Sequence, residues 1–293
     1  MSQLGSGKYA YEVIQDFPKL PAGQTFGAIS RVATDSQDRI YVFQRKDPPM
    51  VIFDREGNYL NSWGSGEFKE AHGLKIVDDL IYVTDRQNSV AMIYTLDGKQ
   101  LLKLGTPGVH SDTGCGPSPY IVLRAAGPFN QPTEMLPHPN GDLYVTDGYR
   151  NCRVHRFTRD GTLVTSWGMP GKNAGEFHLP HSLAIDPDGK IYVADRTNQR
   201  IQIFSPEGEF LDMWTDMQGP DDITLSKDGI FYIAEQDKEG MPPYICLRDS
   251  AGKVLTRVEC PRHIHGAGED SRGNLYAGLT VDRHVDKFVL KSS

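Results

Sequence analysis

The sequence predicts an all-β protein, a six-bladed β-propeller, and three observations support that prediction. A short strand signal of β-branched and aromatic residues, centred on a tyrosine, appears six times in the 293 residues. Successive tyrosines are 41, 62, 48, 40 and 44 residues apart, mostly the length that four short strands require. Glycine (30 residues) and proline (19 residues) recur between the signals, and helical periodicity is absent. The signals are Ile40-Tyr41-Val42, Ile81-Tyr82-Val83, Leu143-Tyr144-Val145, Ile191-Tyr192-Val193, Phe231-Tyr232-Ile233 and Leu275-Tyr276-Ala277.

The fourth repeat shows the plan of one blade. Its first and last strand pairs are closed by Asp188-Gly189 and Glu207-Gly208, whose glycines supply the positive φ that tight hairpins need. Such a unit cannot bury its faces alone, so six units must pack radially around an axis. The strands of this repeat are expected at 181–186, 190–194, 199–204 and 209–214. The predicted blades lie near 26–64, 71–105, 129–168, 177–214, 219–259 and 263–290, in a single domain over residues 1–293.

The last repeat ends before its fourth strand. The segment 9–17 alternates in the manner of a half-buried strand. We therefore predict that this N-terminal strand closes the ring as the outer strand of the last blade, where it covers an exposed sheet edge.

Composition and charge exclude several classes of partner. Lys+Arg 31 against Asp+Glu 38 gives a net charge of −7, so nucleic acid is not expected as a partner. No apolar run reaches the roughly 18 to 20 residues that a membrane span requires, and no membrane partner is expected. The N-terminal segment has no signal-peptide pattern, and the four cysteines form no C-x-x-C. These features predict a cytoplasmic protein.

Three histidines occupy one register of the repeat. Eleven residues before the strand tyrosine, at the expected start of the innermost strand, the blades carry Ser30, Thr133, His181, Asp221 and His265. The second repeat has a hairpin one residue shorter, so its equivalent residue is His72. Alternate blades of a six-fold ring are about 120° apart, so three imidazoles at one height would converge on the axis. This pattern predicts a metal site with Zn²⁺ as the favoured ion, and Fe, Co or Mn also compatible with the ligands.

A second set of residues follows the tyrosine-marked strand, which returns toward the end of the blade where the histidines begin. The set consists of Arg45, Arg86, Tyr149 and Arg196. Two interpretations are open for the arginines. They either belong to a reactive site beside the metal, or they close turns by pairing with neighbours such as Asp85 and Asp195.

The chain resembles the NHL-repeat propellers, and among them the peptidyl-α-hydroxyglycine α-amidating lyases. The resemblance extends over residues 26 to 290 and is strongest in the third and fourth blades. The segments that carry it are Phe129-Asn130-Gln131-Pro132-Thr133, Thr146-Asp147-Gly148-Tyr149-Arg150-Asn151, Pro180-His181-Ser182-Leu183 and Ala194-Asp195-Arg196.

The resemblance implies a function and a set of site residues. It implies cleavage of the N–C bond of an N-acyl-α-hydroxyglycine to a primary amide and glyoxylate, hence a small-molecule substrate with a carboxylate. It also implies that Tyr149 is the catalytic tyrosine, Arg45 the active-site arginine and Arg196 a substrate-contacting arginine. The matching zinc ligands are His72, His181 and His265.

One departure concerns a second metal. The family's structural calcium uses a carboxylate directly after the third zinc histidine, and Gly266 stands at that position here. A calcium site is therefore doubtful.

Two other functions stay open. A propeller with the same metal could be a hydrolase or lactonase, and an NHL domain could be a non-enzymatic interaction module. The long interval before the third blade contains an insertion at 106–128 that could cover the site as a lid or form an ordered surface loop. The sequence does not indicate the oligomeric state.

Overall fold

The computed structural model describes residues 4–117 and 121–291 and confirms the all-β, six-bladed propeller arrangement. Two compact units are distinguished, one formed by residues 1–67 with 221–293 and one by residues 68–220, and three of the six sheets lie in each. No helix in the described part of the chain is long and apolar enough to cross a membrane.

The strands follow the repeat, four to a blade. The first three sheets contain β3 (Ile29–Thr34), β4 (Ile40–Gln44), β5 (Met50–Phe53), β6 (Tyr59–Trp63), β7 (Ala71–Val77), β8 (Leu80–Asp85), β9 (Val90–Thr95), β10 (Gln100–Leu104), β11 (Pro132–Pro137), β12 (Leu143–Asp147), β13 (Arg153–Phe157) and β14 (Leu163–Trp167). The next two contain β15 (Pro180–Ile185), β16 (Ile191–Asp195), β17 (Arg200–Phe204), β18 (Phe210–Trp214), β19 (Pro220–Leu225), β20 (Phe231–Glu235), β21 (Tyr244–Arg248) and β22 (Val254–Glu259). The last contains β1 (Leu4–Ser6), β2 (Tyr9–Ile14), β23 (Gly266–Glu269), β24 (Leu275–Leu279) and β25 (His284–Leu290), and a 3-10 turn at Arg196–Asn198 follows β16.

The tyrosine that marks each repeat has a structural role. In three blades its buried hydroxyl donates to an aspartate six residues earlier: Tyr41 to Asp35 (3.1 Å), Tyr192 to Asp186 (3.1 Å) and Tyr276 to Asp270 (2.9 Å). Burial and the neighbouring aspartates raise the pKa of Tyr192 and of Tyr276, which keeps these phenols protonated as donors. In these three blades the interaction ties the hairpin turn to the buried second strand, so the aspartate and the tyrosine recur together in the sequence.

The predicted short hairpin of the second blade is confirmed. Asp78 and Asp79 alone connect β7 to β8, and both have positive φ (49° and 56°). Two consecutive positive φ values are typical of the type I′ turn, which suits the twist of a two-residue hairpin.

The closure by the N-terminal strand is also confirmed. β2 pairs antiparallel with β25, with Tyr11 opposite Leu290 and Ile14 opposite Lys287. The strand ends at Ile14 instead of residue 17, and β1 adds a fifth strand to this sheet that the repeat pattern gave no reason to expect. Tyr11 is buried in the core of this unit, so the closure rests on side-chain packing as well as on the ladder.

The insertion at 106–128 contains residues 118–120, which lie outside the described residues. Its described part is bound to the segment that carries Tyr149: Thr113 Oγ1 donates to the carbonyl of Arg150 (2.6 Å), and Arg150 Nη2 donates to the carbonyl of Cys115 (2.6 Å). Its role as a lid or as a surface loop stays a prediction.

Candidate functional site

The register position predicted from the repeat coincides with an irregularity of the innermost strand. The β-ladder between first and second strands shifts between Ile29 and Arg31, between Ala71 and Leu74, between Pro132 and Glu134 and between Pro180 and Ser182. The unpaired residues in these bulges include the register residues Ser30, His72, Thr133 and His181. A bulge re-aims a side chain, so the fold presents this position differently from its neighbours in the strand. His265 directly precedes β23 and donates its backbone N–H to Gly278.

The unit formed by residues 68–220 brings two of the histidines to one tyrosine. The hydroxyl of Tyr149 lies 3.2 Å from Nε2 of His72 and 3.0 Å from Nε2 of His181. The two imidazole rings are 4.9 Å apart between centroids, and both histidines are fully buried. Tyr149, which the sequence places two residues after β12, is therefore a direct neighbour of both predicted ligands.

A backbone contact assigns the tautomer of His72. Its Nδ1 lies 2.8 Å from the carbonyl oxygen of Thr133, and a carbonyl can only accept a hydrogen bond. Nδ1 therefore carries the proton in neutral His72, and the lone pair of Nε2 points toward Tyr149. This is the arrangement that a metal-ligating imidazole needs.

His265, in the unit formed by residues 1–67 and 221–293, has two neighbours that demand opposite tautomers. Its Nδ1 lies 2.8 Å from the carbonyl oxygen of Ser30, which requires a proton on Nδ1. The same atom lies 2.6 Å from Nη1 of Arg31, and a guanidinium can only donate. A metal at Nε2 would select the Ser30 contact.

Among the described residues, His72, His181 and His265 form a group that could hold a metal ion. Each is buried and offers one ring nitrogen as a ligand. Three imidazoles without a carboxylate or thiolate suit Zn²⁺ and other first-row divalent ions, and the donor set does not decide between them.

Two arginines lie against the ring of Tyr149. The guanidinium carbon of Arg86 is 4.4 Å from the ring centroid and that of Arg196 is 5.5 Å from it, both within cation–π range. Arg86 also forms an ion pair with Glu70, between Nη2 and Oε1 at 2.5 Å. Arg196, predicted to contact substrate, therefore lies against Tyr149, and so does Arg86.

Turn closure does not account for Arg86. The carboxylate of Asp85 accepts hydrogen bonds from the backbone N–H groups of Lys69 (2.7 Å) and Glu70 (3.0 Å). It also accepts one from the side chain of Asn88 at 2.7 Å. The interpretation that Arg86 pairs with its neighbouring aspartate is therefore replaced by a pair with Glu70.

Arg45, the predicted active-site arginine, directly follows β4. Its Nε donates to the hydroxyl of Ser30 at 3.1 Å, and its backbone N–H donates to Ala28 at 2.8 Å. Arg45 thus contacts a register residue of its own blade, and its role in the reaction stays a prediction.

The residues around Gly266 do not fit the calcium that the family resemblance implies. A Cβ atom at position 266 would lie 2.6 Å from Cδ of Arg31, so a carboxylate-bearing side chain has no room there. Arg31 is fully buried and donates to the carbonyl oxygens of His265 (2.6 Å), Ser30 (3.1 Å) and Asp221 (3.0 Å). A guanidinium next to the buried Asp222 (3.7 Å) already supplies positive charge at this place.

Comparisons with known proteins show what this chain is similar to. The NHL repeat family matches residues 177–204, the fourth blade. A probable peptidyl-alpha-hydroxyglycine alpha-amidating lyase of Caenorhabditis elegans is 32% identical over 53% of this chain and 43% of its own length. The chain resembles the amidating lyases.

Two further comparisons show how far the resemblance reaches. NHL repeat-containing protein 3 of Homo sapiens is 29% identical over 78% of this chain, which spans about two thirds (67%) of that relative. A solved structure described as a streptogramin B lyase covers 96% of this chain, and 98% of that chain is covered in turn. Its TM-score is 0.67 at 13% identity, so it supports the fold alone.

The residue that sequence reasoning left out of the site is Glu70, the partner of Arg86. No repeat pattern marks it, because it precedes β7 by one residue in a blade-specific connection. Arg86 did carry a signal: Asp85-Arg86 and Asp195-Arg196 occur at the same step of the repeat.

Proposed function

We propose that this protein is a metal-dependent lyase that cleaves an N-acyl-α-hydroxyglycine to a primary amide and glyoxylate. The observation that carries the proposal is the position of the Tyr149 hydroxyl, within hydrogen-bond distance of Nε2 of both His72 and His181. The similarity to amidating lyases supports the same reaction class.

Tyr149 is the proton-transfer residue in this proposal. In its phenolate form it accepts the proton of the substrate's α-hydroxyl group, and the carbon–oxygen bond gains double-bond character. The carbon–nitrogen bond breaks, and its electron pair leaves with the amide nitrogen. That nitrogen takes a proton back from Tyr149, so no oxidant, reductant or water is consumed.

The charged neighbours of Tyr149 have complementary tasks. The guanidinium groups of Arg86 and Arg196 place positive charge beside the ring. Arg196 can bind the glycine-derived carboxylate through its planar fork of N–H donors. His72, His181 and His265 would hold the metal, which when bound supplies positive charge near the oxygen that loses its proton.

The test is glyoxylate release from α-hydroxyhippurate by protein supplied with Zn²⁺. We expect glyoxylate and benzamide in equal amounts. Absence of both products from wild-type protein of verified metal content would overturn the proposal.

Hydrolysis is the alternative reaction, because the same three imidazoles can serve a hydrolase or lactonase. Turnover of a candidate ester or lactone in ¹⁸O-labelled water decides, since hydrolysis must incorporate solvent oxygen and the lyase reaction need not. A protein that contains no metal after expression in metal-replete medium would instead support a non-enzymatic interaction module.

We further propose that the protein acts in the cytoplasm on a small carboxylate-bearing molecule, with neither nucleic acid nor membrane as partner. The net charge of −7 supports this, and so do the free thiols. Burial raises the pKa of Cys152 and of Cys246 to about 12, which leaves both thiols protonated and unreactive. Thiol counting by mass spectrometry on protein alkylated in intact cells tests the reducing location.

A further inference from the structure

We propose that Arg86 is a second carboxylate-binding residue of the site, acting beside Arg196. The identity of the ligand, a small carboxylate with an acylated nitrogen, rests on the proposed function. The assignment of Arg86 to anion binding rests on the contacts below.

The side chain of Arg86 is not needed to close the turn in which it lies. Asp85 closes that turn with the backbone N–H groups of Lys69 and Glu70 and with the side chain of Asn88. The fourth blade repeats this plan, because Asp195 accepts from the backbone of His178 (2.9 Å) and from Asn198 (2.7 Å). In the second blade these contacts close the turn without the side chain of Arg86.

Arg86 and Arg196 both lie beside Tyr149. Arg86 follows the second strand of the second blade and Arg196 that of the fourth blade, yet both have their guanidinium groups over the ring of Tyr149, at 4.4 and 5.5 Å. The hydroxyl of that ring contacts His72 and His181. Two cations thus border the place where the proposed chemistry occurs.

Glu70 holds the guanidinium group of Arg86 in place but does not accept from all of its N–H donors. Nη2 of Arg86 pairs with Oε1 of Glu70 at 2.5 Å, and the backbone N–H of Arg86 donates to the Glu70 carbonyl at 3.0 Å. Nε of Arg86 is buried and has no hydrogen-bond partner among the described residues, while the side chain as a whole is 18% exposed.

A buried donor without a partner is destabilising, so a site that keeps one commonly has a ligand or solvent for it. A guanidinium held by one carboxylate has donors left in a planar fork, the geometry that a second carboxylate matches. Arg86 therefore suits the anionic end of a small substrate better than it suits a structural ion pair alone.

The experiment measures binding, not turnover. Hippurate lacks the α-hydroxyl group and cannot be cleaved, and hippuramide is its neutral counterpart without the carboxylate. Dissociation constants for both are measured by calorimetry on purified full-length wild-type protein, Arg86→Met and Arg86→Lys. Arg159→Met is the matched control, because Arg159 is exposed in the hairpin between β13 and β14.

We expect Arg86→Met to weaken hippurate binding by about tenfold or more, the usual effect of a lost charge-assisted hydrogen bond, and to leave hippuramide binding unchanged. Arg86→Lys should recover part of the loss, since it keeps the charge without the fork. Arg159→Met should match wild type with both probes.

Equal loss for hippurate and hippuramide would assign Arg86 a purely structural role and overturn the inference, as would no loss for either. A wild-type protein that binds the two probes equally well would overturn it too. If Arg86→Met does not fold, the Arg86→Lys variant gives the same comparison. Failure of the proposed lyase reaction would show in glyoxylate release and leave this binding comparison intact.

Discussion

The hydroxyl oxygen of Tyr149 lies 3.0 Å from Nε2 of His181, a residue 32 positions further along the chain. One hydroxyl proton cannot satisfy both this nitrogen and Nε2 of His72 at 3.2 Å. Both contacts bear on the proton-transfer role proposed for Tyr149, and each partner can be removed separately.

Substitution Tyr149→Phe removes the hydroxyl and keeps the ring against Arg86. We expect glyoxylate release from α-hydroxyhippurate to fall by about 10²- to 10⁴-fold, the usual contribution of a positioned proton-transfer group. Metal content and melting temperature should match wild type. Turnover of the variant within a factor of two of wild type would remove Tyr149 from the mechanism.

Substitution His181→Ala should abolish stoichiometric metal binding. We expect about one metal ion per chain in wild type and less than about a tenth of that in the variant, measured by mass spectrometry of purified protein. His284→Ala is the control, because the His284 side chain is 46% exposed and pairs with Asp16. Equal metal content in His181→Ala and wild type would place the ion elsewhere.

Substitution Tyr11→Ala tests the closure of the last blade. Tyr11 is 1% exposed, so its truncation should lower the free energy of unfolding by about 3–5 kcal/mol in urea denaturation. Glu12→Ala on the same strand is the control: its pair with Lys291 lies on the surface, so the unfolding curve should stay close to that of wild type. Similar unfolding curves for the two variants would argue against a packed closing strand.

The half-buried carboxyl of Glu269 should make stability depend on pH. Burial, with added repulsion from Asp228 and Asp270, raises its pKa to about 7, and the hydrogen bond from Tyr232 (2.7 Å) only partly opposes this. Between its ordinary pKa and about 7, the folded state holds a proton that the unfolded state releases. The free energy of unfolding should therefore fall as pH rises through this range, by no more than about 1.4 kcal/mol per pH unit.

Glu269→Gln supplies the control for this pH dependence. The amide oxygen can still accept from Tyr232 and carries no titrating proton. We expect the stability of the variant relative to wild type to increase between about pH 5 and about pH 8. A constant difference over that range would show that Glu269 titrates at its ordinary pKa.

Much of the fold could be predicted from the sequence because its signals are local. The strand tyrosines, the hairpin turns and the half-buried segment that contains β2 are each recognised from a few consecutive residues. The register of His72 and His181 followed from counting, since each blade repeats one strand plan. β1 could not be predicted, because Leu4–Ser6 is too short to carry a periodic signal.

The site was less accessible to sequence reasoning, because contacts between blades carry no local signal. Whether Arg86 pairs with Asp85 or with another group depends on which backbone N–H groups Asp85 binds, and only the structure gives that. Arg31 is a second example. A buried arginine that contacts His265 and fills the space beside Gly266 follows from packing, not from spacing.

A crystal of the zinc-supplied protein, measured on both sides of the zinc absorption edge, tests the metal site most directly. We expect one strong anomalous peak per chain, about 2.0–2.1 Å from a ring nitrogen of each of His72, His181 and His265. A peak ligated by other side chains, or the absence of a peak from protein that contains zinc in solution, would contradict it.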